Sequence, residues 1–157
     1  MKVSLKNKNM RITDTEFPLQ LSRKIDWSGL DYFGHVNNIS YFRYIQTARV
    51  NYMEHIGLVE SYSTEKKGPI VASCKCDFIQ PLFYPGDITI RSSINFIKKT
   101  SFGIYHQILN DKGEIAADAQ DVMVMFDFEK NAKSPVTAEL REIIEQLENK
   151  HIGKNRE

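Results

Sequence analysis

The chain has 157 residues, of which 41% are hydrophobic, 26% charged and 11% aromatic, and Lys plus Arg (21) nearly cancels Asp plus Glu (20). One globular domain over residues 1–157 is the expectation, and a disordered or collagen-like chain is excluded. The net charge of only +1 argues against nucleic acid as the main partner.

The first dozen residues are polar and expected to fray. They lack the apolar stretch of a secretory signal, and no run approaches the ~18 apolar residues of a membrane span. A cytoplasmic protein without membrane contact is expected. From Phe17 the pattern alternates: Phe17, Leu19, Leu21, Ile25 and Trp27 fall on one face of a half-buried strand, and Gln20, Ser22, Lys24 and Asp26 on the other. Ser28-Gly29 ends it, and residues 31–37 read as loop.

Residues 38–56 read as a helix stopped by Gly57 at the position that favours a left-handed residue. Spaced about 100° apart, Ser40, Arg43, Thr47, Asn51 and Glu54 fill one narrow polar sector. Ile39, Tyr41, Phe42, Tyr44, Ile45, Ala48, Tyr52, Met53 and Ile56 occupy most of the rest, an arc too wide for a surface helix. A sheet curling around the helix would bury it. Arg49 lies within that arc and needs carbonyls or a carboxylate for partners.

A polar linker is expected over residues 60–68. Four strand-like stretches follow at 69–80, 87–98, 101–110 and 114–128, joined by short turns that favour antiparallel pairing. Residues 136–150 carry Leu140, Ile143, Ile144 and Leu147 at helical spacing and read as a terminal helix. Together these elements make an α+β domain: a curved antiparallel five-stranded sheet wrapped around one long helix, with the core at 17–128. Cys74 and Cys76 share a strand face, too close along one backbone for a disulfide, and read as reduced thiols. His35, His55, His106 and His151 have no metal-ligand spacing, so no metal site is expected.

Chemistry is densest in Trp27-Ser28-Gly29-Leu30-Asp31-Tyr32-Phe33-Gly34-His35-Val36-Asn37-Asn38. A helix start offers unpaired N–H groups to a carbonyl oxygen gaining charge. Asp31 is close enough to aim a carboxylate at the same point, and Tyr32, Phe33, Tyr41 and Phe42 could wall it. An Asp before a helix also serves as a turn or cap residue, and a Gly such as Gly34 also serves simply to permit a bend.

The segment Asp31-x-x-Gly34-His35-Val36-Asn37-Asn38 with Tyr41 resembles the hotdog-fold acyl-CoA thioesterases of the 4-hydroxybenzoyl-CoA thioesterase-like family. Similar wording occurs in plant acyl-carrier-protein thioesterases. The match continues through Tyr44, Ala48-Arg49, Phe78-Ile79-Gln80-Pro81-Leu82 and Pro85-Gly86-Asp87. The resemblance implies a homo-oligomer, dimer or tetramer, that hydrolyses an acyl-CoA or acyl-carrier-protein thioester. It assigns Asp31 as nucleophile or general base and the backbone N–H of Asn38 as oxyanion donor. His35 is a further catalytic candidate, and Tyr32, Phe33, Gly34, Asn37, Tyr41 and Phe78 are candidates for substrate contact. Two departures stand out: Gly29 where many relatives have a second Asp, and Gln46 where many carry Glu.

A thioester needs little help. Its carbonyl is electrophilic and its thiol, with pKa about 8.5, leaves as thiolate. One base and one oxyanion donor therefore suffice, and no cofactor is implied beyond the coenzyme A of the substrate. Arg91, Lys98 and Lys99 are candidate cations for its phosphates, though such charges also solubilise strand ends. Asp118 and Asp121 fall on opposite strand faces and are not expected to act as a pair. The main alternative keeps the fold without catalysis, as an acyl-thioester-binding or biosynthetic accessory protein; a hydratase of the same fold is a third reading.

Overall fold

The computed structural model describes residues 17–153. The expected fraying of the first dozen residues lies outside that range. The elements are β1 (Leu19–Lys24), α1 (Asn38–His55), α2 (Leu58–Glu65), β2 (Lys67–Phe78), β3 (Asp87–Ile97), β4 (Ser101–Leu109), β5 (Ile115–Asp127), β6 (Ala132–Lys133) and α3 (Ala138–Glu148). The antiparallel sheet runs β1-β3-β4-β5-β2, and β6 adds a two-residue sixth strand beside β5, one more than the sequence suggests.

Helix α1 begins where the Asn37 side chain accepts the Ser40 N–H at 2.8 Å, an N-cap. It ends before Gly57, whose φ of 76° few side chains tolerate. Tyr41, Ile45, Ala48 and Tyr52 recur at helical spacing and are buried under the curved sheet. Around the first half of α1 they meet Ile25, Val36, Leu82, Ile88, Ile90 and Ile108. Around the second half Tyr52 and Ile56 meet Ile94, Ile97, Phe102, Met123 and Ile144 of α3. Each fully buried aliphatic chain there contributes about 1.5–3 kcal/mol. The wide arc is narrower than expected at one point, because Ile39 is 59% exposed.

Arg49 finds its carboxylate: Nε donates to Asp121 Oδ2 at 2.7 Å. His106 Nε2 lies 3.2 Å from the same oxygen, and its Nδ1 lies 2.8 Å from Ser92 Oγ. Asp118 turns to the other face and accepts from Tyr105. At the far end of the molecule Glu148 of α3 is buried. It accepts from Tyr52 Oη, from Ser93 Oγ at 2.8 Å and from the Ile94 N–H at 2.5 Å.

Three local expectations are corrected. The expected linker at 60–68 is mostly taken up by α2, a short helix that starts at buried Leu58 and is capped at Lys66 in the left-handed region. Its polar middle faces solvent, so the sequence there carries almost no apolar period. Strand β2 starts two residues early and includes Pro69, which an edge strand tolerates. Trp27 is 71% exposed and does not share a buried face with Leu19. The strand stops at Lys24, and Asp26 caps a single 3₁₀ turn over Trp27–Gly29, which breaks the alternation.

Candidate active site

Between that turn and α1 the chain folds back on itself. The Asp31 N–H donates to the His35 carbonyl at 2.7 Å, and the Asp31 carboxylate Oδ1 accepts from the Phe33 and His35 amides at 2.9 and 3.0 Å. Gly34, with φ of 79°, makes the reversal. This is the Asx-type turn an Asp favours. It also fixes the carboxylate, since one oxygen is held by two amides while Oδ2 has no hydrogen bond from the described residues. The Val36 N–H donates to the Leu82 carbonyl at 2.9 Å, pinning the loop to the segment before β3.

Asp31, His35, Val36, Asn38, Tyr41, Phe78, Ile79, Gln80 and Pro81 line one open cavity of about 320 Å³. Asn38 heads α1, where no carbonyl four residues back belongs to the helix, and its N–H makes no hydrogen bond within the described residues. The sequence thus brings Asp31, the Asn38 backbone, His35, Tyr41 and Phe78 to one place. Tyr41 stands edge-on to Phe78, with ring centroids 5.0 Å apart, and its hydroxyl donates to the Gln80 carbonyl at 3.4 Å. Burial, then the neighbouring Cys76, pushes the Tyr41 hydroxyl up to about 12, so it stays protonated. His35 packs edge-on to Phe83.

Other expected residues lie elsewhere. Tyr32 and Phe33 meet edge-on at the loop tip, 97% and 79% exposed, and do not line the cavity. Phe42 packs against the core instead. Asn37 is the helix cap, and Gly34 the bend. Arg91 is on the convex side, where it donates to Gln107 at 2.8 Å and covers the Phe17 ring. Lys98 and Lys99 occupy the β3–β4 turn, the full length of β3 away from Asp87, or about 35 Å at strand rise. Spacing along the chain carried no signal of that distance. Ile79, Gln80 and Pro81, which belong to the stretch matched to the family but were not expected at the site, also line the cavity.

The two departures have structural explanations. Gly29 is buried, and a Cβ there would lie 2.6 Å from Ser40 Oγ, so any larger residue at this position requires the Ser40 side chain to move. Gln46 is exposed and lines a shallow depression with Leu21, Arg23, Thr47, Val50 and others, away from Asp31. Among the described residues no group of three or more His, Cys, Asp or Glu could hold a metal ion, and no helix is long and apolar enough to cross a membrane.

A long helix wrapped by a curved antiparallel sheet is the hotdog fold, and the protein that carries it here is a thioester hydrolase. Residues 25–144 match the family described as the thioesterase-like superfamily, and the chain belongs to it. It is 26% identical over 131 residues to the long-chain acyl-CoA thioesterase FadM of Escherichia coli (strain K12), covering 82% of this chain and 98% of that one. It is similar to a thioesterase from Thermus thermophilus solved with coenzyme A and Zn, at 24% identity and a TM-score of 0.76, covering 86% and 97% of the two chains. The SAV2348 protein of Staphylococcus aureus, solved with CoA, matches at 8% identity and a TM-score of 0.77 over 84% of each chain.

Proposed function

We propose that the protein hydrolyses the thioester of a hydrophobic acyl group on coenzyme A, with the Asp31 carboxylate as the base or nucleophile. The observation that carries this reading is the shared cavity of Asp31 and the Asn38 N–H, walled by Tyr41 and Phe78. The thioester carbonyl would sit with its oxygen at the start of α1, where the N–H and the helix dipole favour developing negative charge. With Asp31 as base, Oδ2 takes a proton from water and the oxygen adds to the carbonyl carbon. The carbon–sulfur bond then breaks, and the thiolate recovers the proton. With Asp31 as nucleophile, Oδ2 adds to the carbonyl carbon and the thiolate leaves, giving a mixed anhydride that water cleaves, the water's proton passing to the thiolate. Coenzyme A in two structures of the same fold supports the choice of carrier, and the long-chain relative supports an apolar acyl group.

Gln46 lies outside this cavity, so its missing carboxylate does not favour the accessory-protein reading. The expected homo-oligomer is supported by β2, a twelve-residue strand at the sheet edge with Ile70 and Val71 exposed. The test is thiol release from short, long and aromatic acyl-CoAs, by the wild type and by Asp31→Asn. Release by the wild type and its loss in the variant supports the reading; tight binding without release ends it.

A further inference from the structure

We infer that the cavity between α2, the β5–β6 hairpin and the start of α3 is a second ligand site, which takes an aliphatic monocarboxylate with its charge at the α3 N-terminus. It lies at the opposite end of α1 from Asp31. The eighteen residues Asn38–His55 span about 27 Å at helix rise, and Ile56, Gly57 and Leu58 line the cavity where that helix ends.

The local sequence leaves polar groups facing an apolar space. After the two-residue β6, the Ser134 N–H donates to the Met125 carbonyl at 2.9 Å. Pro135 follows, and Thr137 then caps α3, its Oγ1 accepting the Leu140 N–H at 3.1 Å. That cap serves Leu140 alone. The Ala138 and Glu139 N–H groups open an eleven-residue helix and have no hydrogen-bond partner within the described residues. Such a helix start favours an anion.

Ser134 points to a ligand independently of the helix. It is 7% exposed and lines the same cavity, and its Oγ is buried without a hydrogen-bond partner among the described residues. Folded chains rarely leave such a hydroxyl unpaired. A carboxylate oxygen in the cavity would accept from it. Lys133, beside it in the chain, also lines the cavity and has no ion pair among the described residues. Most of the acidic lining is already engaged. Asp127 accepts from the Glu129 and Lys130 amides at 3.1 and 2.9 Å, and Glu65 lies 3.9 Å from Lys67. Glu139 is the exception, standing in the first turn of α3 and competing there with an incoming anion.

The rest of the wall selects an apolar body. Ile56, Leu58, Met125 and Leu140 line the cavity and are buried in the core around the end of α1. Its volume of about 400 Å³ is that of a small-molecule site. A ligand charged along its whole length would gain nothing from these side chains, whereas an alkyl tail with one carboxylate uses both parts. The proposed hydrolysis releases this class of molecule, but binding is measured without turnover, so the two readings fail separately.

The test is titration of octanoate into protein carrying ¹³C-methyl methionine, following the Met125 methyl resonance. It should shift saturably. Lys133→Ala and Ser134→Ala should each weaken binding about tenfold, and Glu139→Gln should tighten it about threefold. Octanol, with a similar tail and no charge, should bind at least about tenfold more weakly than octanoate. An unmoved Met125 resonance overturns the proposal, and so does a response confined to the Asp31 loop. Octanol binding as tightly as octanoate, or unaltered affinity in both Lys133→Ala and Ser134→Ala, would do the same. If Ser134→Ala fails to fold, Lys133→Ala, at an exposed position, decides alone.

Discussion

Ser40 Oγ donates to the Gly29 carbonyl at 3.2 Å, and the space between the two residues is too small for one added carbon. The start of α1 is thereby seated on the 3₁₀ turn that precedes the Asp31 loop. Gly29→Ala is expected to destabilise the protein by about 1–3 kcal/mol through overpacking. Much of that cost should disappear in the double variant with Ser40→Ala. Thermal unfolding of the four proteins gives the coupling energy, and additive losses would show that the contact is not tight.

Asp31→Asn keeps an oxygen able to accept from the Phe33 and His35 amides, so the loop should hold its shape. What disappears is the charge on the reacting group. An expected fall in kcat of at least ~10²-fold, with unchanged melting, follows from removal of a positioned base. In single-turnover hydrolysis in ¹⁸O-water, label entering the Asp31 carboxylate marks the nucleophilic route, with water adding to the Asp31 carbon of the anhydride.

The buried pair of Arg49 and Asp121 should govern acid stability. Burial alone would push the Asp121 carboxyl up, but hydrogen bonds from His106, Arg49 and the Cys74 thiol outweigh it and hold it down at about 2, below the ordinary 3.8. A carboxyl depressed by folding stabilises fully above 3.8, and that contribution is lost as pH falls from 3.8 towards 2. Chemical denaturation across this range should show the loss, and Asp121→Asn should flatten it. Arg49→Leu strands a buried charge and should cost about 3–5 kcal/mol at neutral pH.

Both thiols should be sluggish. Burial, then Asp121, pushes Cys74 up to about 12, while burial, then Asp77 and Asp118, pushes Cys76 up to about 11. The thiolate is the reactive form. At pH near 8, a thiol-specific disulfide reagent should label the native protein at least ~10²-fold more slowly than the denatured one. Equal rates would show that the β2 edge opens readily.

The sheet, its wrapped helix and the cavity could be read from the chain because each rests on local order. Tyr41, Ile45, Ala48 and Tyr52 announce a buried face by period alone, and Asp31 to Asn38 lie within one loop. The need of Arg49 for a carboxylate was legible from its place in the apolar arc. That Asp121 supplies it depends on β5 lying opposite the helix. What was not legible depended on distance in space. Lys98 and Lys99 sit a full β3 length from Asp87, a separation that spacing along the chain does not show. Helix α2 was missed because Leu58 and Tyr62 are too few to show a period. Tyr32 and Phe33 were expected to wall the cavity, but a turn as tight as that at Gly34 throws adjacent side chains outward.

The link between Tyr52 and Glu148 joins residues 96 positions apart in sequence. Until the ribosome has released α3, the Tyr52 hydroxyl and the Ser93 and Ile94 donors have no carboxylate to meet. Contacts of such long range slow folding. A nascent chain that stops short of residue 148 would hold its strands around an unsealed end, and in that interval it is most exposed to proteases and chaperones.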